Sequence, residues 1–251
     1  MASGTRLLVC SIGNPAPYLN TLHSAGHTVL NVLRESLSYP SFQKSRAHGN
    51  GLLSSGSYFT LWQSPSLMNV SGPAVSAAWK QFLRENKQMG YGEEGCGLVV
   101  VHDELELRVG EVKVRKGDAS PKGHNGLKSI RDTLRGQMYT RIGVGIGRPE
   151  SRDAGVVADY VLRKMSVEER RKISVSAGKV MEELMKLSEH SVKETKQGKA
   201  PLIQSNDKKF GREDAEAGSN FWLQGNGTFT GISSPVLEEA AESPSVSAHL
   251  L

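Results

Sequence analysis

The chain has 251 residues, and its 31 Lys and Arg against 26 Asp and Glu give a formal net charge of +5. This length fits one α/β domain with additional segments, and the small positive excess permits a polyanionic partner without identifying one. We expect no membrane span, because no run of 18 apolar residues exists. Cys10 and Cys96 lack a second cysteine at metal-ligand spacing, and an apolar strand begins almost at the N-terminus. These features predict reduced thiols, no targeting peptide and a cytoplasmic protein, with a mitochondrial location left open.

Predicted strands and helices alternate along most of the chain, which indicates an α/β fold. The apolar periodicity predicts strands at 7–12, 56–62, 98–101, 111–115 and 141–146, and helices at about 22–33, 69–83, 126–134 and 167–187. Residues 36–57 are polar and rich in serine, which predicts a loop or an irregular hairpin. We expect a single domain over residues 1–190, followed by a low-complexity, disordered tail over 191–251.

Polar side chains follow a buried strand at 98–101, where open α/β sheets place their sites. They are His102, Asp103 and Glu104. His23, at the start of the first helix, is a candidate general base, because the imidazole pKa lies near neutrality. Asp103 is a candidate for the carboxylate that orients this base and leaves its other ring nitrogen free to accept a proton. The simpler alternatives are a structural histidine, and a surface aspartate that pairs with Arg108.

Other catalytic classes lack their sequence patterns. His102 to Glu104 have no second cluster at ligand spacing, so we expect neither a metal nor a cofactor. No serine has the glycine flanks of a nucleophile elbow, which favours an activated water over a covalent acyl-enzyme. The glycines at 143, 145 and 147 alternate and precede Pro149, and therefore predict a strand rather than a dinucleotide loop.

Basic residues concentrate around the glycine-bracketed pair His124-Asn125, which opens the predicted third helix. This concentration favours phosphate binding beside the site, but a solvated basic face is an equally open interpretation, because aromatic residues that could stack on bases are missing. The cluster comprises Lys113, Arg115, Lys116, Lys122 and Lys128, with Arg141 and Arg148 in the next strand region.

Five motifs stand in a fixed order along the chain. They are Gly13-Asn14-Pro15 with Tyr18 and Thr21 to Gly26, Met68 to Gly72, Val101 to Leu105, Gly123 to Lys128 and Arg141 to Pro149. Over roughly residues 5–188 they resemble the signatures of the bacterial-type peptidyl-tRNA hydrolase family. The resemblance implies a single α/β domain with a twisted mixed β-sheet flanked by helices on both sides. It also implies hydrolysis of the ester between a peptide and the 3′ ribose of tRNA, which returns the tRNA for reuse.

The resemblance also implies roles for individual residues. His23 is the base that activates water, and Asp103 orients it, without a metal or a cofactor. Asn125 positions water or clamps the substrate, while the remaining substrate contacts are Asn14 and Asn69 on the peptide backbone and Tyr18 beside the tRNA terminus. His124 is expected to be structural. Phosphates of the tRNA are bound by Arg115, Lys116, Lys128 and Arg141.

The chain departs from the family pattern at several positions. Ala16, Leu22, Ser24 and Leu67 stand where Gly, Arg, Asn and Phe are usual, and the spacing from Asn14 to Tyr18 is one residue short. These departures affect substrate contacts more than the proposed catalytic pair.

Two alternative functions stay open at this point. One is a non-catalytic RNA-binding protein on the same fold, for example a splicing factor, and the other is an esterase for small nucleotides or acylated metabolites. The presence of His23, Asp103 and three asparagines favours the hydrolase. We also expect a monomer, since no apolar stripe is left over after the core is assigned.

Overall fold

The computed structural model describes the backbone of residues 4–195 and the side chains of residues 4–189. Its strands are β1 (Arg6–Ser11), β2 (Gln43–Lys44), β3 (Leu52–Ser55), β4 (Phe59–Gln63), β5 (Cys96–Glu104), β6 (Val112–Lys116) and β7 (Thr140–Gly145). Its α-helices are α1 (Ala25–Ser36), α2 (Ser71–Gln88), α3 (Asn125–Leu134), α4 (Ala154–Leu162) and α5 (Val167–Thr195), and short 3-10 turns cover Leu22–Ser24, Met68–Val70 and Glu93–Gly95. Among these described residues, no helix has the length and apolar character needed to cross a membrane.

Within residues 4–195, seven strands form one mixed sheet in the order β2-β3-β4-β1-β5-β7-β6. The central pairs β4-β1, β1-β5 and β5-β7 are parallel, whereas β2, β3 and β6 join through antiparallel pairs. A parallel centre needs cover on both faces, because its strands bury side chains on both sides. Helices supply that cover, and the predicted α/β class with a mixed sheet is confirmed.

Strand β1 divides its side chains between two apolar layers. Leu7 and Val9 pack in the layer that contains residues of α1 and α5, whereas Leu8 and Cys10 pack with residues of α2 and α3. All four side chains are almost completely buried. A strand with two buried faces has no polar alternation, which explains why this segment forms a nearly continuous apolar run in the sequence.

The stretch 36–57 forms part of the sheet edge. It contains β2 and β3, so of the two predicted possibilities the irregular hairpin is confirmed. The stretch is tied to the core by Trp62, whose Nε1 donates a hydrogen bond of 2.8 Å to the carbonyl oxygen of His48. Strands β2 and β3 therefore form one edge of the sheet.

Two elements differ from the prediction. Helix α4 was not predicted, because its sequence is apolar almost throughout and has no clear polar face. Its start is stabilised by Asp153, whose side chain accepts hydrogen bonds from the backbone N–H groups of Gly155 and Val156. Helix α5 continues past the predicted boundary at residue 190, and the rest of the predicted tail, 196–251, lies outside the described residues.

The carboxyl ends of β1 and β5 lie side by side at one edge of the sheet. The two strands are parallel neighbours, and Ser11 is in register with Val101. Consequently the loop that follows β1 meets the last residues of β5, which are His102 to Glu104. Open α/β sheets place their sites at this edge, because loops from several strands converge there.

Candidate active site

His23 and Asp103 meet at this edge although 80 positions separate them in the chain. Nδ1 of His23 lies 2.9 Å from each carboxylate oxygen of Asp103. The Asp103 side chain is 2% exposed and the His23 side chain 17% exposed, so the histidine is the partner that solvent and substrate can reach. Because Nδ1 bonds the carboxylate, Nε2 is the nitrogen that can accept a proton.

His124 donates to the same carboxylate. Its Nε2 lies 3.1 Å from Oδ1 of Asp103, and its Nδ1 accepts a hydrogen bond of 3.3 Å from the backbone N–H of Leu127 at the start of α3. Since Nδ1 is an acceptor, the proton of the neutral ring resides on Nε2. The structure therefore places His124 inside the site, where the sequence predicts only a structural residue. The sequence feature that could have indicated a role in the site is the position of His124 directly before a helix.

The charges of this cluster shift the pKa of both members of the pair. Burial disfavours the protonated form of His23, but the charge of Asp103 and its hydrogen bond outweigh burial and raise the pKa of His23 above 6.5. Burial also acts to raise the pKa of Asp103, yet His23 and His124 hold it well below its usual range. Asp103 is thus ionised at neutral pH and can stabilise an imidazolium on His23.

His102 supports the cluster from inside the protein. Its ring meets that of His124 edge-on, with 5.3 Å between the ring centroids, and its Nδ1 lies 2.7 Å from the carbonyl oxygen of Asp103. The side chain is buried, and burial lowers the pKa of His102 to about 3. It therefore stays neutral and packs against the cluster instead of exchanging protons during a reaction.

The three predicted asparagines reach the site from three different segments. Oδ1 of Asn14, in the loop after β1, accepts a hydrogen bond of 2.8 Å from the backbone N–H of Met68. This bond leaves the Nδ2 group of Asn14 for a ligand. Asn69 lies in the 3-10 turn before α2, and Asn125 is the first residue of α3; both side chains are exposed.

All six predicted catalytic and substrate-binding residues line one cleft of about 620 Å³. Tyr18, the sixth, is 40% exposed at its rim. This volume accommodates a few residues of a substrate, so most of a large substrate would lie outside it. Further apolar lining comes from Leu67, Met68, Val157, Val161 and Leu162, and charged lining from Glu104, Glu106, Lys122, Arg148 and Arg152. The sequence gives no indication of the three residues from α4, because this helix is not predicted, whereas Met68, Glu104 and Arg148 belong to the five motifs.

Three of the four predicted phosphate-binding residues have side chains that a polyanion could reach. Lys116 is exposed on β6, and Arg115 beside it is partly buried, with its Nε 4.0 Å from a carboxylate oxygen of Glu104. Lys128 is exposed on α3, and its Nζ lies 3.3 Å from Oδ1 of Asn125. Arg115 and Lys128 thus contact residues that line the cleft, whereas Lys116 lines a separate pocket.

Arg141 has a different environment. It is 3% exposed, and its Nη2 donates a hydrogen bond of 2.7 Å to the carbonyl oxygen of Ser120. Arg141 also lines the cleft, and its contact with a tRNA phosphate stays a prediction.

The same cluster includes the groups that could hold a metal ion. One ligand atom from each of His23, Asp103 and His124 lies within 4.8 Å of the others, and this is the candidate set among the described residues. Two imidazole donors that share one carboxylate already explain this convergence. The arrangement can therefore act as a hydrogen-bonded base, with Asp103 satisfied by its two neighbours.

Fold and site together define an enzyme class: an α/β protein in which a carboxylate-oriented histidine, surrounded by amide groups, can activate water in a cleft. The chain belongs to the peptidyl-tRNA hydrolase family, whose model, described as Peptidyl-tRNA hydrolase, matches residues 8–208. This confirms the family that the five motifs indicate.

Individual relatives agree with the family model. The peptidyl-tRNA hydrolase of Frankia casuarinae is 39% identical over 168 residues, which cover 66% of this chain and 79% of that protein. The peptidyl-tRNA hydrolase of Geobacter sulfurreducens is 36% identical over 171 residues, which cover 64% and 78%. A crystal structure of peptidyl-tRNA hydrolase from Acinetobacter baumannii has a TM-score of 0.59 at 24% identity and covers 74% of this chain and 90% of that one, which supports the fold.

Proposed function

We propose that this protein is a peptidyl-tRNA hydrolase, which cleaves the ester bond between a peptide and the 3′ ribose of tRNA. The observation that carries the proposal is the His23–Asp103 pair at 2.9 Å in a cleft that three asparagines also line. A protein that only bound RNA would gain nothing from a buried carboxylate held by two imidazoles, and burying such a charge is unfavourable. Family membership supports the same function.

The reaction follows from the free nitrogen of His23. Nε2 removes a proton from water as the water oxygen attacks the ester carbonyl carbon, and the carbonyl oxygen becomes negatively charged. The intermediate then collapses, the bond to the ribose 3′ oxygen breaks, and the imidazolium returns its proton to that oxygen. Asp103 stabilises the imidazolium in between. Amide groups of Asn14 and Asn69 hold the peptide near the carbonyl, and Asn125 positions the water or clamps the substrate.

The tRNA would lie outside the cleft, with its 3′ end near Tyr18. Arg115, Lys116, Lys128 and Arg141 are the cations that we propose for its phosphates. The proposal is supported by Arg141 in the cleft lining and by the contacts of Arg115 with Glu104 and of Lys128 with Asn125, which both line the cleft. Phosphate binding releases counterions, so affinity should fall as salt rises.

Further features of this proposal concern the state of the protein. We propose a monomer with its catalytic domain at residues 1–190, which acts without a metal or a cofactor. A cytoplasmic location is supported by the free thiols of Cys10 and Cys96, which are typical of a reducing compartment, and a mitochondrial location is also compatible with them.

The experiment measures release of the acyl group from N-acetyl-aminoacyl-tRNA by the parent protein and by His23→Ala. A general base contributes about 10²- to 10⁴-fold in rate, so the variant should lose at least that order of activity. Val175→Ala, at an exposed position of α5, is a control that should keep parental turnover and melting temperature. Absence of turnover in the parent, or full turnover in His23→Ala, would refute the proposal.

A further inference from the structure

The linker between α4 and α5 runs beside the residues that precede His23. The N–H of Leu22 donates to the carbonyl of Arg163 at 3.2 Å, and the N–H of Met165 donates to the carbonyl of Asn20 at 2.9 Å. Between these two bonds the segments form an isolated antiparallel bridge. The 3-10 turn that carries His23 begins at Leu22, so its position depends directly on the linker.

The side chain of Arg163 joins this linker to both helices. Its Nη1 and Nη2 lie 2.9 and 2.6 Å from the two carboxylate oxygens of Glu169 in α5, which makes a bidentate ion pair. The same guanidinium lies over the ring of Tyr160 in α4, with 4.7 Å between its central carbon and the ring centroid. Because 41% of the Arg163 side chain is exposed, this ion pair adds little to stability, and its main effect is the geometry that it imposes.

Both partners of Arg163 are held in place by further hydrogen bonds. Glu169 forms a capping box with Ser166 at the start of α5: the N–H of Ser166 donates to Oε2 of Glu169 at 2.9 Å, and the N–H of Glu169 donates to Oγ of Ser166 at 3.2 Å. The hydroxyl of Tyr160 donates to the carbonyl of Ile146, just after β7, at 2.8 Å. Arg163 is therefore fixed against both the sheet and α5, and so is its backbone carbonyl.

We propose that Arg163 is a positioning residue for the hydrolysis: by fixing the linker, it holds the turn that sets Nδ1 of His23 against Asp103. This inference rests on the proposed function and deepens it. Arg163 acts through His23 and needs no contact with the substrate. Its matched control is Arg171, which forms a bidentate pair of the same type with Glu168 within α5.

The kinetic test compares three variants of this ion pair with Arg171→Met. Arg163→Met should lower kcat about tenfold, because a misplacement of about 1 Å costs up to about a hundredfold, while KM should stay near the parental value since no substrate contact is removed. Arg163→Lys keeps the charge without the bidentate geometry, so it should recover part of kcat. Glu169→Gln keeps a capping acceptor for α5 but removes the charge of the pair, so it should also lower kcat. Arg171→Met should keep the parental kcat.

A second measurement, an NMR titration of the His23 ring in the free protein, does not depend on turnover. Burial lowers the pKa of His23 and Asp103 raises it, so a longer distance to Asp103 should move the midpoint to lower pH in Arg163→Met and Glu169→Gln. The other titrating ring beside His23, that of His124 with 5.3 Å between the centroids, is the same in all variants. In the parent, the hydrogen bond from Arg163 lowers the pKa of Glu169 to about 2, so the ion pair stays charged throughout the titration.

The outcome of the titration decides the role of Arg163. A His23 midpoint that stays parental or moves to higher pH in Arg163→Met would overturn the inference, whatever the change in kcat. An equal shift in Arg171→Met would also overturn it, since that variant removes a similar ion pair and leaves the linker intact. If Arg163→Met does not fold, a parental midpoint and kcat in Arg163→Lys and Glu169→Gln would overturn it. Absence of turnover in the parent would refute the proposed function, while the titration still tests the positioning role.

Discussion

Two imidazoles contact one carboxylate in this site, and a different ring nitrogen faces it in each case. The Nε2 of His124 faces Asp103, and its Nδ1 accepts a hydrogen bond from the N–H of Leu127. His23 has no such restriction, since its Nδ1 faces Asp103 and its ring lines the cleft. The histidine with a ring nitrogen left to accept a proton from water is therefore His23. Asp103 sets the pH at which it does so.

The pH dependence of turnover follows from this pair. We expect kcat/KM to rise with pH along an acid limb whose midpoint lies above 6.5, because His23 must be deprotonated to act as a base and Asp103 raises its pKa. Asp103→Asn removes the charge and leaves the burial, so the midpoint should move to lower pH while the rate at the plateau falls. The measurement is a pH–rate profile corrected for spontaneous ester hydrolysis. A midpoint that stays in place or rises in Asp103→Asn would contradict the assignment.

At the level of elements, short turns between the sheet and the helices carry most of the site. The 3-10 turn 22–24 presents His23, and the 3-10 turn 68–70 presents Asn69. Asn14 connects the loop after β1 to the second of these turns through its bond to the N–H of Met68. Such connections join segments that are far apart in the chain, and the positions of both segments depend on them.

Two asparagine variants should distinguish the structural role of the Asn14–Met68 hydrogen bond from a role in substrate binding. Asn14→Ala leaves the N–H of Met68 without its acceptor, which should lower the free energy of unfolding by about 1–3 kcal/mol and also reduce turnover. Asn69→Ala changes an exposed side chain, so it should reduce turnover at parental stability. Urea unfolding and acyl release together test both expectations. Parental stability in Asn14→Ala would show that its bond to Met68 contributes nothing.

In the molecule as a whole, the residues that line the cleft lie between positions 14 and 162. They come together because β1 and β5 are neighbours in the sheet, and α1 and α5 cover one of its faces while α2 and α3 cover the other. Residues 196–251, outside the described part, contain none of the predicted site residues.

We therefore expect that deleting the residues after Lys199 leaves turnover unchanged. The reason is that the groups proposed for catalysis, substrate binding and phosphate binding all precede this position. The measurement compares kcat and KM of the full and the shortened chain on the same N-acetyl-aminoacyl-tRNA. A large loss of activity, with an unchanged melting temperature, would show that the deleted segment takes part in the function.

The amino-acid sequence by itself determined the alternation of strands and helices, the burial of strands such as β1, and the residue types that carry the chemistry, because periodicity and side-chain chemistry are local properties. The five motifs also sufficed for the family. Only the tertiary structure decided that His124 and His23 both bond to Asp103, that Arg141 is buried and donates to the carbonyl of Ser120, and that α4 lines the cleft. These facts depend on which strands are neighbours and on which loop covers them, and packing between distant segments decides both.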